Sequence, residues 1–318
     1  METKGDGGVP SPFLPRMRPV ASSGPRYREA RYAYATVLPV VLLVALFTLY
    51  PFAFALVTSL REVVLYKPWS QPFVGLKNYL DVVRSEFFST SWQHTLTFVA
   101  GAVPLATLLG FGVAHLLNAR TALTPFLNVT ILLPWAIPTV ISGIIWAWIF
   151  NSSYGAFNGA LYSLGLIDSY LPWLSRPRSA LLCVLFAHVW KEVPLTSILY
   201  LAALQAIPEE LYDAARVDGA GAPAVLRRIT VPLVLPTTLI IVVYETMVGI
   251  VTFDLLYVMT GGGPAGATSL ISYYLYNSMF VAFNFGQGAA LAVLLAIALV
   301  AFIALYLRLL RSEEIYVT

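Results

Sequence analysis

Charged side chains are scarce in this chain, and their scarcity is the first constraint on its fold. Only 11% of the 318 residues are Asp, Glu, Lys or Arg, whereas 58% are hydrophobic and the mean hydropathy is +0.77. Soluble domains are about one quarter charged, so this composition excludes an ordinary soluble protein. The net charge of +3 is too small to indicate a nucleic-acid surface.

Cysteine and histidine are also rare, which argues against a metal centre. Cys183 is the single cysteine, so an intramolecular disulfide and a cysteine-based metal cluster are excluded. His94, His115 and His188 lie in separate apolar runs, and none has a second ligand at metal-binding spacing. A membrane enzyme needs convergent acid and base groups, which Asp254 and the loops do not supply. We therefore expect a non-catalytic chain that itself binds no metal or cofactor.

Six apolar runs dominate the sequence from residue 32 onward. Each is long enough to cross a hydrocarbon core, which takes about 20 helical residues. No linker between soluble domains interrupts them. The sequence therefore predicts an all-α polytopic membrane protein with six transmembrane helices in one domain, residues 32–312. The runs cover residues 32–59, 94–117, 123–150, 180–206, 231–260 and 279–307.

The two ends of the chain are predicted to be tails. Residues 1–31 are rich in Pro, Gly, Ser and Arg, which indicates a disordered cytoplasmic segment. The first apolar run begins too late and is too long for a secretory signal. Residues 313–318 are expected to form a short cytoplasmic C-terminal tail.

The distribution of Lys and Arg predicts the orientation in the membrane. With the N-terminus inside, 12 of these residues fall on the cytoplasmic side and 6 on the opposite side. Both termini are therefore expected in the cytoplasm. The cytoplasmic set is Lys4, Arg16, Arg18, Arg26, Arg28, Arg31, Arg120, Arg216, Arg227, Arg228, Arg308 and Arg311, and the opposite set is Arg61, Lys67, Lys77, Arg84, Arg176 and Arg178.

The most charged internal segment, residues 207–232, lies between the fourth and fifth runs. Pro208 suits the first turn of a helix, because its missing N–H has no partner there anyway. Acidic residues follow at once, where the helix dipole favours negative charge. These are Glu209, Glu210 and Asp213, and the residues predicted to share one helix face are Leu211, Ala214, Ala215 and Asp218.

A turn and a second short helix are predicted next. Gly219 can adopt the left-handed conformation that ends a helix, and a helix can run through residues 225–228 before Pro232 stops it. Positive-inside orientation places this helix–glycine–helix segment in the cytoplasm. An ordinary amphipathic hairpin between membrane helices is the simpler interpretation.

Ionisable side chains inside two of the runs are candidates for function, because charge in a membrane is costly. On the fourth run Glu192 is spaced to reach His188, and Lys191 can reach Glu245 of the fifth run if the two helices face each other. The polar faces consist of His188, Lys191, Glu192 and Leu195 on the fourth run, and Glu245, Val248, Gly249 and Thr252 on the fifth.

Proline and glycine elements mark three further places. Pro134 and Pro138 will distort the third run and free backbone carbonyls, which only protein or a cavity can cover. The glycines of residues 260–264 predict a sharp turn. A phosphate loop is not expected there, because no Gly-Lys-Ser/Thr follows. Residues 73–79 carry a Val-Gly-Leu-Lys-Asn-Tyr element.

Residues 213–232 resemble the signature loop of ABC-importer permeases, which reads Glu-Ala-Ala, three residues, Gly, and a distal Ile-x-Leu-Pro. Asp213 stands where Glu is usual, and the change keeps the charge. The Asn-Tyr, Leu-Pro-Trp and Thr-Gly-Gly-Gly-Pro elements are similar to those of the carbohydrate-permease branch. The other matching positions are Ala214, Ala215, Asp218, Gly219, Ala220, Ile229, Val231 and Pro232.

This resemblance implies a type I importer permease fold in a bacterial plasma membrane. It implies a second permease subunit, a dimer of ATPase subunits that bind ATP and Mg, and an extracytoplasmic sugar-binding protein. It also implies two sets of functional residues. The ATPase-coupling set is Glu210, Asp213, Ala214, Ala215, Asp218, Gly219 and Ala220, and the substrate-path set is Trp135, Thr139, His188, Lys191, Glu192, Leu195, Glu245, Val248, Gly249 and Thr252.

Two alternatives remain open on the sequence. Lys191, Glu192 and Glu245 can instead form a structural ion pair with the partner permease subunit. The chain can also be a proton-coupled secondary transporter that uses Glu245, His188 and Lys191 as a relay, although six helices are few for that class and no inverted halves are visible.

Overall fold

The computed structural model describes residues 26–119 and 124–313. Most of the predicted N-terminal tail, Arg120 and nearly all of the predicted C-terminal tail lie outside these ranges. Within them the chain is helical, and the only pairings of extended backbone are isolated bridges, from Arg61 to Phe73 and from Val64 to Asn284. The all-α prediction is confirmed.

The first apolar run forms one span with a π-helical turn inside it. Helix α1 covers Arg26–Val44, the π turn covers Ala45–Leu49, and α2 covers Tyr50–Ser59. The helix thus begins before residue 32, inside the predicted tail. Residues 34–59 have a mean hydropathy of 2.6, high enough for a membrane span.

The remaining helices follow in chain order. They are α3 (Lys77–Arg84), α4 (Glu86–Leu117), α5 (Thr124–Thr130), α6 (Leu133–Ala136), α7 (Thr139–Ile149), α8 (Ala156–Ser163), α9 (Pro177–Gln205), α10 (Glu209–Val217), α11 (Ala222–Val225), α12 (Val231–Val251), α13 (Asp254–Met259), α14 (Ile271–Tyr276) and α15 (Phe285–Glu313).

Five helical segments in the described residues are long and apolar enough to cross a membrane, so six continuous spans are not confirmed. The third predicted span is divided among α5, α6 and α7. Helix α6 ends before Ile137, whose ψ of 132° is extended. The cause is Pro138, because a residue that precedes proline is disfavoured in the helical region.

Helix α9 lies at the centre of the bundle. The apolar window of α9 is 61% buried, against 28% for α4 and 17% for α15, so α9 contacts protein on most of its faces. It packs against α4, α6, α7, α12 and α13. The approach to α4 is close, because a Cβ at Gly110 would lie 2.2 Å from the Thr196 hydroxyl oxygen. In a membrane the hydrophobic effect does not drive helices together, and small residues allow the close packing that holds them.

Two apolar clusters divide α9 along its length. The first contains Val184 and Val189 with Phe98 of α4. The second contains Tyr200 and Leu204 near the other end. Polar and ionisable side chains lie at mid-span, beside the first cluster and before the second, where burying them is most costly.

Candidate substrate pathway and coupling surface

The buried polar layer contains four of the residues predicted for the substrate path. His188 is 2% exposed, Lys191 8%, Glu192 5% and Glu245 0%. The first three lie on α9, and Glu245 lies on α12, which packs against it. The predicted polar faces of the fourth and fifth runs therefore belong to neighbouring helices.

Lys191 covers the carbonyls that the broken third segment frees. Its Nζ donates hydrogen bonds to the carbonyl oxygens of Trp135, at 3.1 Å, and Ile137, at 2.8 Å. These carbonyls flank the break before Pro138. The Lys191 amine thereby satisfies two backbone acceptors that the bilayer cannot hydrate.

Glu192 and His188 have neighbours that the sequence did not predict. The Tyr244 hydroxyl donates to Glu192 Oε2 at 3.2 Å, and the Thr252 hydroxyl lies 3.5 Å from His188 Nδ1. Neither carboxylate oxygen of Glu245 has a hydrogen-bond partner among the described residues. The Glu192–His188 and Lys191–Glu245 contacts considered from spacing are thus not formed in this structure.

A cavity of about 210 Å³, here named the mid-helix cavity, opens beside this layer. Six predicted path residues line it, with four others that the prediction did not include. Leu195, Glu245 and Gly249 do not line it, and Trp135 contributes its carbonyl to the bond with Lys191 beside it. The lining residues are Thr139, His188, Lys191, Glu192, Val248, Val251, Thr252, Phe253, Asp254 and Leu255.

The four added residues follow from a helix break. Helix α12 ends at Val251 and α13 begins at Asp254, so residues 251–255 turn toward the cavity. The Ser272 hydroxyl donates to the Thr252 carbonyl freed by the break. The predicted run continued without interruption to residue 260, because Gly249, three residues before Thr252, was assigned to a continuous helix face.

A second cavity, here named the glycine-loop cavity, has a volume of about 820 Å³. It lies between the first turns of α4, the loop at residues 261–266, and α14 with the turn that follows it. Gly261 and Gly262 have φ of +58° and +76°, as a sharp turn requires. The Tyr273 hydroxyl donates to the Gly261 carbonyl at 2.6 Å, and its ring occupies the space that a Cβ at Gly262 would need.

The Asn-Tyr element of the predicted loop 73–79 has a structural role. Asn78 Nδ2 donates to the carbonyls of Ser59 and Arg61, both at 2.8 Å. The Tyr79 hydroxyl shares a hydrogen bond with the Ser59 hydroxyl at 2.6 Å. The element therefore holds the loop against the end of α2.

The charged segment forms the predicted helix, turn and helix. Pro208 directly precedes α10, and Gly219 has a φ of +72°. The Gly219 N–H donates to the Arg216 carbonyl, and the Ala220 N–H donates to the Ala215 carbonyl. This pair of bonds is a Schellman motif, which satisfies carbonyls at the end of a helix. We call residues 209–220 the coupling segment.

Most side chains of the coupling segment are available to a partner. Glu210, Asp213, Ala214, Asp218 and Gly219 are exposed. Ala220 is half-buried, and Ala215 is buried, so Ala215 anchors the segment instead of presenting a surface. An ion pair of 2.7 Å joins Arg216 to Asp213, and the Tyr212 hydroxyl lies 3.3 Å from the Thr230 hydroxyl.

The prediction that Pro232 stops the second short helix is wrong. Helix α11 continues through a π turn at Leu226–Thr230 directly into α12. The Val231 N–H donates to the Leu226 carbonyl, five residues back, immediately before Pro232. The wider turn accommodates a ring that would collide with the fourth carbonyl back in a regular α-helix.

Proteins of similar sequence are transport permeases. The chain is 38% identical to the trehalose/maltose transport system permease protein MalF of Thermococcus litoralis over 289 residues, which are 91% of this chain and 97% of that protein. It is 32% identical to the trehalose transport system permease protein SugA of Mycobacterium tuberculosis, covering 88% and 90%. It is also 32% identical to the sulfoquinovosyl glycerol permease SmoG of Agrobacterium fabrum, covering 87% and 89%.

The fold matches that of solved importers. A chain of a bacterial ABC transporter for the acidic polysaccharide alginate superposes with a TM-score of 0.78, at 22% identity over 90% of this chain and 96% of that one. A methionine ABC transporter chain gives a TM-score of 0.51 at 18% identity. Residues 102–312 match the family described as binding-protein-dependent transport system inner membrane component. This chain therefore belongs to that family of inner membrane permeases, and it has the fold of an ABC-importer permease.

Proposed function

We propose that this chain is the permease subunit of an ATP-driven importer that moves a di- or oligosaccharide across the plasma membrane. The observation that carries the proposal is the similarity over nine-tenths of the chain to a trehalose/maltose permease. Relatives named for trehalose and for sulfoquinovosyl glycerol extend the same carbohydrate chemistry.

The mid-helix cavity is the proposed centre of the sugar path. Sugar hydroxyls need charged or polar partners, which His188, Lys191, Glu192 and Thr252 offer on its walls. Thr139 and Val248 complete the predicted members of the lining. Its volume of about 210 Å³ lies below the roughly 300–1,000 Å³ usual for ligand pockets, so the bundle must widen to admit a disaccharide.

The remaining predicted path residues join the path when the bundle widens. Trp135 offers an aromatic face, which suits the C–H face of a sugar. Glu245 keeps a carboxylate without a hydrogen-bond partner on α12, next to the cavity residue Val248. Leu195 and Gly249 continue the same two helix faces.

The coupling segment is the proposed lever. Its exposed residues dock on an ATPase subunit, and closure of an ATPase dimer on ATP moves the segment together with α12. The continuity of α11, the π turn and α12 supports this role, because motion at the segment passes into a helix that contacts the sugar path. ATP and Mg bind to the ATPase, whereas this chain forms the sugar path and transmits the motion of the ATPase to it.

The partners and orientation complete the proposal. A second permease subunit pairs with this chain, and an extracytoplasmic binding protein delivers the sugar. A solved alginate transporter of the same fold is described in complex with a pentasaccharide-bound periplasmic protein. Both termini lie in the cytoplasm, as the distribution of Lys and Arg indicates.

A proton relay is the weaker proposal. In the described residues, His188, Lys191 and Glu245 make no hydrogen bond to one another: Lys191 binds carbonyls, and Glu245 has no partner. The match to a binding-protein-dependent family also favours ATP as the energy source.

Purification and transport test the proposal together. A tagged chain isolated from its own membranes is expected to retain a second permease and an ATPase. In proteoliposomes, maltose or trehalose with the binding protein should stimulate ATP hydrolysis and enter the lumen. Uptake that needs a proton gradient and no ATP would contradict the proposal, as would a chain that purifies without an ATPase.

A further inference from the structure

Three aromatic rings that contact one another lie between the two cavities. Phe253 lines the mid-helix cavity, and Tyr273 lines the glycine-loop cavity. Their ring centroids lie 6.1 Å apart with planes inclined by 26°. Tyr276 lies beside both, at 4.9 Å from Phe253 and 6.3 Å from Tyr273. We call Phe253, Tyr273 and Tyr276 the aromatic track.

The track is held in place by backbone contacts at both ends. The Ser272 hydroxyl bonds to the Thr252 carbonyl, which fixes α14 against the break that carries Phe253. The Tyr273 hydroxyl bonds to the Gly261 carbonyl, which fixes that ring against the glycine loop. The three rings thus belong to a defined arrangement between helices.

An interfacial aromatic belt explains other rings better than these. Residues of such a belt face lipid headgroups. Phe253, Tyr273 and Tyr276 are only partly exposed, and two of them line cavities. Phe253 and Tyr273 therefore each border a cavity, and Tyr276 contacts both rings.

The glycine-loop cavity has the size and chemistry of a carbohydrate site. Its volume of about 820 Å³ falls in the range of roughly 300–1,000 Å³ usual for small-molecule pockets. Asn277, Gln287 and Glu86 supply polar groups for hydroxyls, and Tyr273 supplies an aromatic face. Aromatic faces beside polar groups match the alternation of C–H and hydroxyl surfaces on a sugar ring.

We propose that the glycine-loop cavity is a carbohydrate-binding vestibule and that the aromatic track passes a sugar ring from it to the mid-helix cavity. The proposal rests on the sugar-permease function proposed above. Each ring offers a stacking surface to the next position of the sugar. The sugar then moves between the two cavities without crossing purely aliphatic protein.

Leucine and aromatic substitutions test the track in the assembled importer. Tyr276→Leu and Phe253→Leu remove a ring, whereas Tyr276→Phe and Phe253→Tyr keep it. We expect both leucine variants to lower ATP-dependent uptake of maltose or trehalose about fivefold, and both aromatic variants to stay within about twofold of the unchanged chain. Tyr162→Leu is the control, since Tyr162 pairs with Tyr170 away from both cavities.

Complex assembly is measured on every variant and should match the unchanged chain. Leucine variants that transport like their aromatic counterparts would overturn the track. If the leucine variant at one position does not assemble into the complex, the leucine and aromatic variants at the other position are compared instead. An unchanged importer that takes up no member of a di- and oligosaccharide panel including maltose and trehalose would refute the proposed function itself, which separates that failure from failure of the track.

Discussion

Lys191 supplies the hydrogen-bond donors that water would otherwise provide to two backbone carbonyls inside the bundle. Its amine bonds to the Trp135 and Ile137 oxygens at the break in the third predicted span. A buried acceptor left without a donor costs about 1–3 kcal/mol. Lys191 therefore combines a structural role with a place on the cavity wall.

Removing that amine should destabilise the protein. We predict that Lys191→Met lowers the free energy of unfolding by about 2–4 kcal/mol, since two carbonyls lose their donor. Thermal unfolding of the purified complex measures the effect. Lys191→Arg keeps donors in reach and is the matched control. An unfolding temperature unchanged in Lys191→Met would contradict the assigned hydrogen bonds.

Glu245 presents the opposite situation, a fully buried carboxylate without a partner in the described residues. Burying an unpaired charge opposes folding, so such a group is usually kept for function. We predict that Glu245→Gln raises the unfolding temperature of the complex and lowers sugar uptake. Normal transport by the assembled variant would remove Glu245 from the sugar path.

At the scale of elements, the contact between α4 and α9 depends on Gly110. A Cβ there would lie 2.2 Å from the Thr196 hydroxyl oxygen and 3.3 Å from the Thr196 carbonyl carbon. We predict that Gly110→Ala destabilises the bundle by about 1–3 kcal/mol, because the helices must separate. Unfolding in detergent measures this loss.

Gly112, two residues further on α4, is the matched control. Nothing lies within 4 Å of a Cβ built there. Gly112→Ala should be neutral or stabilising by up to about 1 kcal/mol, since alanine favours a helix more than glycine. Equal effects of the two substitutions would mean that α4 and α9 do not approach as described.

Gly219 ends α10 through its backbone conformation. Its φ is +72°, and a Cβ at this position would meet no atom within 4 Å, so strain and not a collision opposes substitution. We predict that Gly219→Val leaves membrane insertion intact but uncouples ATP hydrolysis from sugar. Gly219→Asn, which tolerates this conformation, should preserve coupling. Undiminished sugar-stimulated hydrolysis in Gly219→Val would argue against the lever role.

The helices were predictable from the sequence, but their interruptions were not. A long apolar run in a membrane forms a helix, because its backbone groups must hydrogen-bond to one another. The approximate positions of α4, α9 and α15 therefore followed from composition. The outcome at each proline depends on tertiary partners. Pro138 breaks a helix where Lys191 covers the freed carbonyls, whereas Pro232 is accommodated by a π turn.

The residue types in the candidate site were predictable from the sequence, but the contacts between those residues were not. Ionisable residues are costly to bury in a membrane, so their presence in α9 and α12 indicated a functional site. Six of the predicted residues line the mid-helix cavity. Val251, Phe253 and Leu255 were missed, because Gly249 by itself does not specify where α12 ends. The hydrogen bonds of Glu192 and Lys191 depend on neighbouring helices, which spacing along one helix cannot specify.

At the scale of the whole molecule, one continuous helical element runs from the residues just after the coupling segment to the proposed sugar path. Helix α11, the π turn and α12 lead from the exposed segment to Val251 on the cavity wall. Since the mid-helix cavity is too small for a disaccharide, the proposed transport requires the helices to rearrange. Rigid-body motion of packed helices is the usual form of such changes.

Cysteine crosslinking at the coupling segment tests this account most directly. Asp218 is exposed, and the native Cys183 is buried, so Asp218→Cys provides one reactive thiol. In closed vesicles of known orientation, we predict that a membrane-impermeant thiol reagent reaches it from the cytoplasmic side alone. We further predict that a short bifunctional reagent links it to an ATPase subunit. Labelling from the external side, or no crosslink to any ATPase in an assembled and active complex, would contradict the account.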